Sequence, residues 1–299
     1  MTNSAQPDLR TSIQAWDEAA WSLAAVALAA SEAGAPELTA AARELLAAAG
    51  LAGVPGDPAP GLGNPGPGQV ASQAAASLQQ ASALLRGRGD GWPEQSDEAL
   101  LAQGNTSAQA ATAFAGLLLP VMGDLAGRLG APGARMLDVG TGVGALAVAF
   151  AEAYPQLDVL GIDVFDRALT LARHTVAVSS VGTRVTVRKQ DVAGFSDDDG
   201  FDLAWLPAPF IPRPALHAGL PRVAAALRPG GWLMVGHGKF DGTPVQNALT
   251  RLKTISYGGT PLNEETAARL LHNAALTSVR QVPTPPGAPA ITIGRKPAR

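Results

Sequence analysis

The sequence predicts a doubly wound α/β fold that is preceded by an all-helical region. Two observations support this prediction. From residue 134 onwards, short apolar stretches alternate with segments whose apolar residues recur at helical spacing, the pattern of a parallel sheet with helices on both faces. Before residue 106, only helical spacing is found, and it is interrupted by a long stretch rich in glycine and proline.

The helical region covers residues 1–105. Apolar positions predict helices at about 12–33, 37–49 and 70–86, and the stretch at 53–68 predicts a long loop because glycine and proline fill most of it. This helical region is a candidate for covering a substrate site, for forming a homodimer, or for both. The sequence leaves these roles open.

The second region, residues 106–299, contains the alternating pattern. It begins with a predicted helix from Thr106 to Leu129, which Pro120 interrupts because proline lacks a backbone N–H. Strands are predicted at 134–139, 157–164, 184–192, 201–207 and 229–237. The predicted helices between and after them cover 144–155, 166–178, 214–227 and 263–275. Two further strands, 277–282 and 290–294, predict a terminal antiparallel hairpin.

Composition excludes several classes of function. The 299 residues carry a net charge of −3, which does not suit a nucleic-acid partner. The chain has no cysteine, so disulfides, zinc–thiolate clusters and thiol nucleophiles are excluded. The most apolar segment, 19–30, is too short to cross a membrane and follows acidic residues rather than a basic signal region. We therefore expect a cytoplasmic protein with neither a nucleic-acid nor a membrane partner.

Three glycines follow the first strand at alternate positions. Gly140, Gly142 and Gly144 permit a tight turn, close approach of a ligand to the backbone, and free N–H groups at the start of the next helix. Asp163 closes the second strand about 20 residues later, where an acid reaches ribose hydroxyls. Gly140, Gly142 and Ala145 also satisfy the relaxed dinucleotide fingerprint, so NAD is an alternative cofactor. However, Asp138 precedes the turn, and its charge suits a cationic amino group better than a pyrophosphate.

These stretches together resemble a known family. LDVGTGVG, GIDV, KQDV and LRPGGWLMVG are similar to the glycine motif and the second-, third- and fifth-strand motifs of class I S-adenosylmethionine (SAM)-dependent methyltransferases. The resemblance covers roughly residues 130–299. It implies the Rossmann-like methyltransferase fold, a sheet of seven strands of which six are parallel, and SAM as the cofactor. The overall pattern resembles small-molecule methyltransferases of bacterial secondary metabolism.

The resemblance implies a role for individual residues. The backbone of the three turn glycines lines the methionine part of SAM, with Asp138 near its amino group, and Asp163 binds the ribose. At the adenine, the resemblance implies that Asp191 binds the amino group and that Val192 donates a backbone N–H. Val164 and Phe165 would flank the ring. The complete set of candidates for cofactor binding is Gln103, Asp138, Gly140, Gly142, Gly144, Asp163, Val164, Phe165, Asp191, Val192 and Leu206.

The methyl acceptor is less constrained, because methyl transfer is an in-line displacement that mainly needs proximity and orientation. The fourth strand ends in Pro207-Ala208-Pro209-Phe210, where methyltransferases acting on planar amino groups typically show Asn/Asp-Pro-Pro-aromatic. The missing amide argues against such amines. The His-Asp pair of plant-type O-methyltransferases and the metal-binding acids of catechol-type enzymes are also missing, so no metal is expected. The candidates for the substrate pocket are Trp21, Trp205, Pro207, Phe210, His237 and Tyr257.

His237 closes the fifth strand and is the candidate catalytic residue, as a base or as a hydrogen-bond donor to substrate. The sequence predicts methyl transfer to a small aromatic or heteroaromatic molecule, by O-methylation as the default and by C-methylation of an indole-like ring as the variant. An NAD(P)-dependent oxidoreductase and a SAM-binding protein without catalysis are the alternatives.

Overall fold

The structure is a computed structural model that describes residues 16, 18–26, 36–48, 74–75, 77–79, 81–82, 95–197, 200–284 and 289–298. It divides into two compact units, Met1–Ser82 and Ala83–Arg299. The predicted division at residue 105/106 therefore lies 23 residues further along the chain than the observed one. The predicted loop at 53–68 lies outside the described residues.

The first unit is helical wherever it is described. A helix covers Pro36–Ala48, and residues 18–26 are also helical. A small apolar cluster joins them, formed by Ala25, Val26, Ala42, Leu46 and Ala74. Trp21 lies in this unit with 65% of its surface exposed.

The second unit contains a sheet of seven strands, which we number in chain order: β1 Ala134–Val139, β2 Leu157–Asp163, β3 Val185–Lys189, β4 Phe201–Pro207, β5 Leu227–His237, β6 Thr277–Val282 and β7 Ala290–Arg295. Their order in the sheet is β3-β2-β1-β4-β5-β7-β6. β7 pairs antiparallel with both β5 and β6, whereas the other pairs are parallel. This confirms the predicted doubly wound sheet and the terminal hairpin. β1, β4 and β6 have the predicted bounds.

Helices cover both faces of this sheet. Within the second unit they are α1 Asp97–Leu117, α2 Leu125–Leu129, α3 Ala145–Ala153, α4 Asp166–Val178, α5 Arg213–Ala226, α6 Pro244–Ser256 and α7 Glu264–Asn273. One apolar core packs the four helices α1, α2, α3 and α4 against one face of the sheet. Phe114, Phe150 and Leu203 are among its residues. The other core joins α5 and α7 to the opposite face through residues such as Leu206, Leu220 and Leu271. Within the described parts of the chain, no helix has the length and apolar character needed to cross a membrane.

Two helices differ from the prediction. α1 begins at Asp97 rather than near Thr106, because the side chain of Ser96 accepts the backbone N–H of Ala99 at 3.3 Å and caps the helix. It ends before the short 3-10 turn Leu119–Val121, so the predicted interruption at Pro120 is confirmed. α6 was not predicted at all. Its signal was present, because Thr243 and Gln246 form a capping box.

A charged network fixes the beginning of β4. The Asp202 carboxylate, only 4% exposed, accepts hydrogen bonds from the guanidinium groups of Arg128 in α2 and Arg228 in β5. It also accepts the backbone N–H of Arg135 in β1 at 3.1 Å. Three elements are thus held to one buried carboxylate, at the edge of the sheet where the parallel strands begin.

We expect Asp202→Ala to destabilise the protein by about 2–3 kcal/mol, since it removes a buried carboxylate from two arginines that keep some access to water. Urea unfolding of the full chain measures this difference. The matched control is Asp158→Ala, at an exposed position of β2, which should change stability by less than about 0.5 kcal/mol. Equal effects of the two variants would contradict the importance of the network.

Candidate active site

The glycine turn joins β1 to α3 at the edge where the parallel strands end. Gly140, Gly142 and Gly144 have φ angles of 65°, 56° and 77°. These values lie in the left-handed region. That conformation is unfavourable for residues with a Cβ, whereas glycine adopts it readily. The predicted tight turn is therefore present, with Gly140 exposed, Gly142 half-buried and Gly144 buried.

Asp138 lies in β1, directly before this turn, and is 1% exposed. The Thr141 hydroxyl donates to Asp138 Oδ2 at 2.7 Å. Burial raises the pKa of Asp138 to about 7, the Thr141 hydrogen bond opposes this shift, and the nearby Asp163 charge adds to it. A cation that reached this carboxylate would favour its ionised form. The hydrogen bond between Thr141 and Asp138 also depends on Gly161 of β2, because a Cβ at Gly161 would come within 2.6 Å of the Thr141 Oγ1.

Asp163 closes β2 and holds the turn from the other side. Its Oδ2 accepts the backbone N–H of Gly142 at 2.9 Å, and its Oδ1 accepts the backbone N–H of Phe165 at 3.0 Å. Burial raises its pKa, and the backbone hydrogen bonds of Phe165, Gly142 and Val164 oppose the shift. A carboxylate offers about four acceptor positions, so Asp163 can accept further hydroxyl donors while these backbone bonds persist.

Helix α1 packs directly on the glycine turn. A Cβ at Gly104 would overlap the Val143 Cγ2, so only glycine permits this approach. Leu100 and Val143 form a small apolar cluster to which Phe165, Phe210 and Tyr257 also pack. Residues 104–109 lie inside this helix. Gln103 lies on the same helix and its Nε2 donates to the Ser107 Oγ at 3.4 Å.

The residues predicted to surround adenine follow β2 and β3. Val164 is 42% exposed, and Phe165 is half-buried in the cluster with Leu100. Asp191 is exposed, and its Oδ1 accepts the backbone N–H of Ala193 at 2.8 Å at the start of a 3-10 turn. Val192 is buried against Gly219 of α5, where its Cγ2 leaves no space for a Cβ.

Leu206 requires a correction. Its side chain is fully buried in the core beneath α5 and α7, on the sheet face opposite to Asp138. The alternation of side chains along a strand causes this, because Leu206 and Trp205 must point to opposite faces. Only the backbone of Leu206, and not its side chain, could therefore contact a ligand at the strand end.

Of the residues predicted for the substrate pocket, the structure brings Phe210 and Tyr257 into contact. Trp205 is half-buried and packs over Gly236 of β5, where a Cβ would come within 2.5 Å of the indole ring. Pro207 is buried beside Gly140, at 3.7 Å from the position of a Cβ there. Phe210 and Tyr257 stack, with ring centroids 5.0 Å apart and an interplanar angle of 17°. Burial raises the pKa of Tyr257 to about 12.

The turn after β4 is held by a segment that follows α6. A Cβ at Gly259 would overlap the carbonyl group of Pro209, so the two backbones are in direct contact. Thr260 donates its backbone N–H to Ala208 at 2.9 Å and its hydroxyl to the carbonyl oxygen of Ile211 at 2.8 Å. The sequence shows this contact only as a Gly-Gly-Thr triplet, because its partner lies about 50 residues away.

His237 also requires a correction. It is 1% exposed, and burial lowers its pKa. Its Nδ1 lies 3.0 Å from the carbonyl oxygen of Gly238, which can only accept, so Nδ1 carries the proton. Its Nε2 lies 2.8 Å from the Thr292 Oγ1 and accepts from that hydroxyl. Both nitrogens are thus engaged within the sheet, and His237 has no free atom to act as a base or to bind substrate.

Trp21 lies in the first unit, and its predicted contact with substrate stays a prediction. Among the described residues, no group of three or more histidine, aspartate or glutamate side chains is placed to hold a metal ion.

The residues that sequence reasoning missed are Thr141, Gly161, Gly104 and Thr260, whose roles arise from contacts between separate elements.

Comparison with known proteins agrees with this geometry. Residues 136–231 match the model of a methyltransferase domain. A release factor glutamine methyltransferase from Rhodopirellula baltica is 32% identical over 131 residues, which are 43% of this chain and 43% of that protein. The chain thus matches less than half the length of its curated relatives.

Solved structures match over nearly the whole chain but at low identity, so they show the fold alone. Human N-acetylserotonin methyltransferase in complex with SAM gives a TM-score of 0.63 at 15% identity, with 99% of this chain and 100% of that chain covered. A mitomycin 7-O-methyltransferase gives a TM-score of 0.56 at 20% identity, covering 96% and 98%. Residues 136–231 are thus similar to a methyltransferase domain, and the fold around them is the one seen in these solved methyltransferases.

Proposed function

We propose that the protein transfers a methyl group from SAM to a small aromatic or heteroaromatic molecule. The observation that carries the proposal is the group formed by Asp138, the glycine turn and Asp163 at one edge of the sheet. It offers a carboxylate for a cationic amino group, a backbone cradle and a second carboxylate for hydroxyl groups. Methylation of an acceptor oxygen is the default, and methylation of an indole-like carbon is the variant.

The residues present fit this cofactor. Asp138 is buried and, among the residues that the structure describes, Thr141 is its only side-chain hydrogen-bond donor, so an ammonium group would compensate its burial. Asp163 keeps acceptor capacity for ribose hydroxyls. Phe165 and Val164, together with Asp191 and Val192, would hold the adenine, and the glycine backbone the methionine part. The dinucleotide alternative is less favoured, because a buried acid two residues before the turn would repel a pyrophosphate.

When bound, SAM supplies an electrophilic methyl group on a sulfonium. The work of the chain is then to orient the acceptor and to exclude water. Leu100 and Val143 close the apolar cluster above the turn, and Phe165 extends it. The stacked Phe210 and Tyr257 offer flat apolar surfaces on which an aromatic acceptor can lie, beside Pro207 and Trp205.

The nature of the acceptor is supported by the end of β4. Pro207 occupies the position at which enzymes for planar amino groups typically carry an amide or acid, so an amide substrate like that named for the curated relatives is disfavoured. The two solved structures reported above are named for small-molecule acceptors. Backbone contacts of Gly259 and Thr260 fix the proline-rich turn, so the pocket wall is rigid at this side.

We also propose a role in secondary metabolism, a cytoplasmic location and, for the first unit, covering of substrate or homodimer formation. The chain's lack of cysteine is consistent with a reducing compartment. A SAM-binding protein without catalysis remains the alternative, and it is distinguished by turnover rather than by binding.

The proposed activity is tested by incubating the protein with SAM labelled in its methyl group and a panel of phenols and indoles. We expect label to appear in at least one acceptor, and mass spectrometry with NMR of the product identifies the methylated atom. Calorimetry with SAM and with NAD accompanies the assay. NAD binding without SAM binding would contradict the cofactor, and SAM binding without any transfer would contradict the acceptor class.

Asp163→Ala is expected to raise the Kd for SAM about 10- to 100-fold, which corresponds to hydrogen bonds to a charged acceptor of about 1.5–3 kcal/mol. Isothermal calorimetry measures the change. Asp158→Ala is the matched control, since Asp158 is exposed at the other end of β2. An unchanged affinity in Asp163→Ala would show that this carboxylate does not hold the ribose.

The raised pKa of Asp138, about 7, predicts a pH dependence of SAM binding. The ionised carboxylate attracts the ammonium group, so affinity should rise with pH and fall roughly tenfold from about one unit above this pKa to one unit below it. The Asp138→Asn variant should bind SAM more weakly, and its affinity for SAM should change less with pH. A wild-type affinity that is constant over this range would exclude Asp138 as the partner of the ammonium group.

A further inference from the structure

Helix α6 crosses the edge of the sheet beside the proposed acceptor site. Thr250 contacts Gly238 directly after β5, because its Cγ2 occupies the space that a Cβ of Gly238 would need. Tyr257, directly after α6, stacks on Phe210 after β4. The inner face of α6 therefore spans the ends of the two strands that flank the acceptor.

The two faces of α6 have the reverse of the usual polarity. The inner face contains Thr250 and the buried Thr254, followed by Tyr257. The outer face contains Leu249, Leu252 and Ile255, which are 48%, 51% and 53% exposed. The Thr254 hydroxyl donates to the carbonyl oxygen of Thr250 at 2.9 Å, so it is satisfied within the helix.

Lys253 lies at the margin of the inner face. Helical geometry places it about 60° around the axis from Thr250 and about 40° from Tyr257. It lies one turn before Tyr257 and is half-buried. Among the described residues it has no ion-pair or side-chain hydrogen-bond partner, in contrast to Arg128, Arg135, Arg167 and Arg228. Burial lowers the pKa of its amine, which increases the fraction in the neutral, proton-accepting form.

An acceptor hydroxyl must lose a proton when its oxygen is methylated, and His237 has no free nitrogen to receive it. We infer that Lys253 is the base of the reaction, facing the hydroxyl of an acceptor whose ring stacks against Tyr257 and Phe210. This inference rests on the proposed methylation of oxygen. The acceptor's O–H bond breaks and its proton goes to the neutral Lys253 Nζ. The oxygen's electron pair forms the new O–CH3 bond, while the C–S bond of SAM breaks and its electron pair stays on sulfur.

The test compares Lys253→Met and Lys253→Arg with wild type on two acceptors. Para-methoxyphenol is protonated at neutral pH and needs a base, whereas pentafluorophenol is ionised there and does not. Both variants should lower kcat for para-methoxyphenol about 100- to 10,000-fold, the usual contribution of general base catalysis. With pentafluorophenol, kcat should change less than about threefold. SAM affinity and the Kd of para-methoxyphenol, measured by calorimetry with S-adenosylhomocysteine, should stay close to wild type.

Arg251→Met serves as the matched control, because Arg251 is exposed on the same helix and should leave both acceptors unaffected. Equal losses on both phenols would overturn the inference in favour of a structural role. A loss on pentafluorophenol that Lys253→Arg restores would overturn it in favour of anion binding. If wild type methylates indole carbon and no phenol, methyl transfer stands while the base is excluded. If it binds SAM and methylates nothing, the proposed function itself fails.

Discussion

The hydrogen bond from the backbone of Gly142 to Asp163 is the contact on which the site depends. It joins the turn after β1 to the end of β2 at 2.9 Å, and the same carboxylate also holds Phe165. The turn and the loop after β2 are therefore fixed relative to each other before any ligand contributes a contact. Pre-organisation of this kind reduces the ordering cost that binding must offset. It also explains why a carboxylate is kept in a buried position, where its pKa is raised.

The opposite wall of the site is built from long-range contacts. Pro207 lies beside Gly140, and the turn after β4 is held from outside by Gly259 and Thr260. Leu100 and Val143 connect this wall to α1. The proposed cofactor and acceptor sites thus share one apolar cluster, and a shift of α1 would be felt on both sides.

The sequence predicted the strands well because their signals are local. A run of apolar residues with one acid and three glycines defines β1 and its turn without knowledge of any partner, and the bounds of β1, β4 and β6 agree with the structure. The start of α1 was missed because Gly104 resembles a helix breaker in the sequence. In the structure the same glycine is required for contact with Val143, where any Cβ would overlap.

Side-chain roles were harder to predict than positions. His237 was correctly placed at the end of β5, but a sequence does not show that Thr292, 55 residues away, occupies its second nitrogen. Leu206 was placed near the cofactor although strand alternation directs it into the core. The positions of Asp138 and Asp163 near each other were predictable, because acids at the ends of neighbouring parallel strands come together.

The contact between Gly259 and the Pro209 carbonyl limits how the proposed acceptor site can be altered. Since no side chain fits there, directed evolution has little freedom in the scaffold that shapes this wall. Phe210 and Tyr257, by contrast, present rings whose size and polarity can vary while the backbone stays in place. Libraries confined to these two positions would therefore vary the proposed acceptor site while keeping this backbone contact.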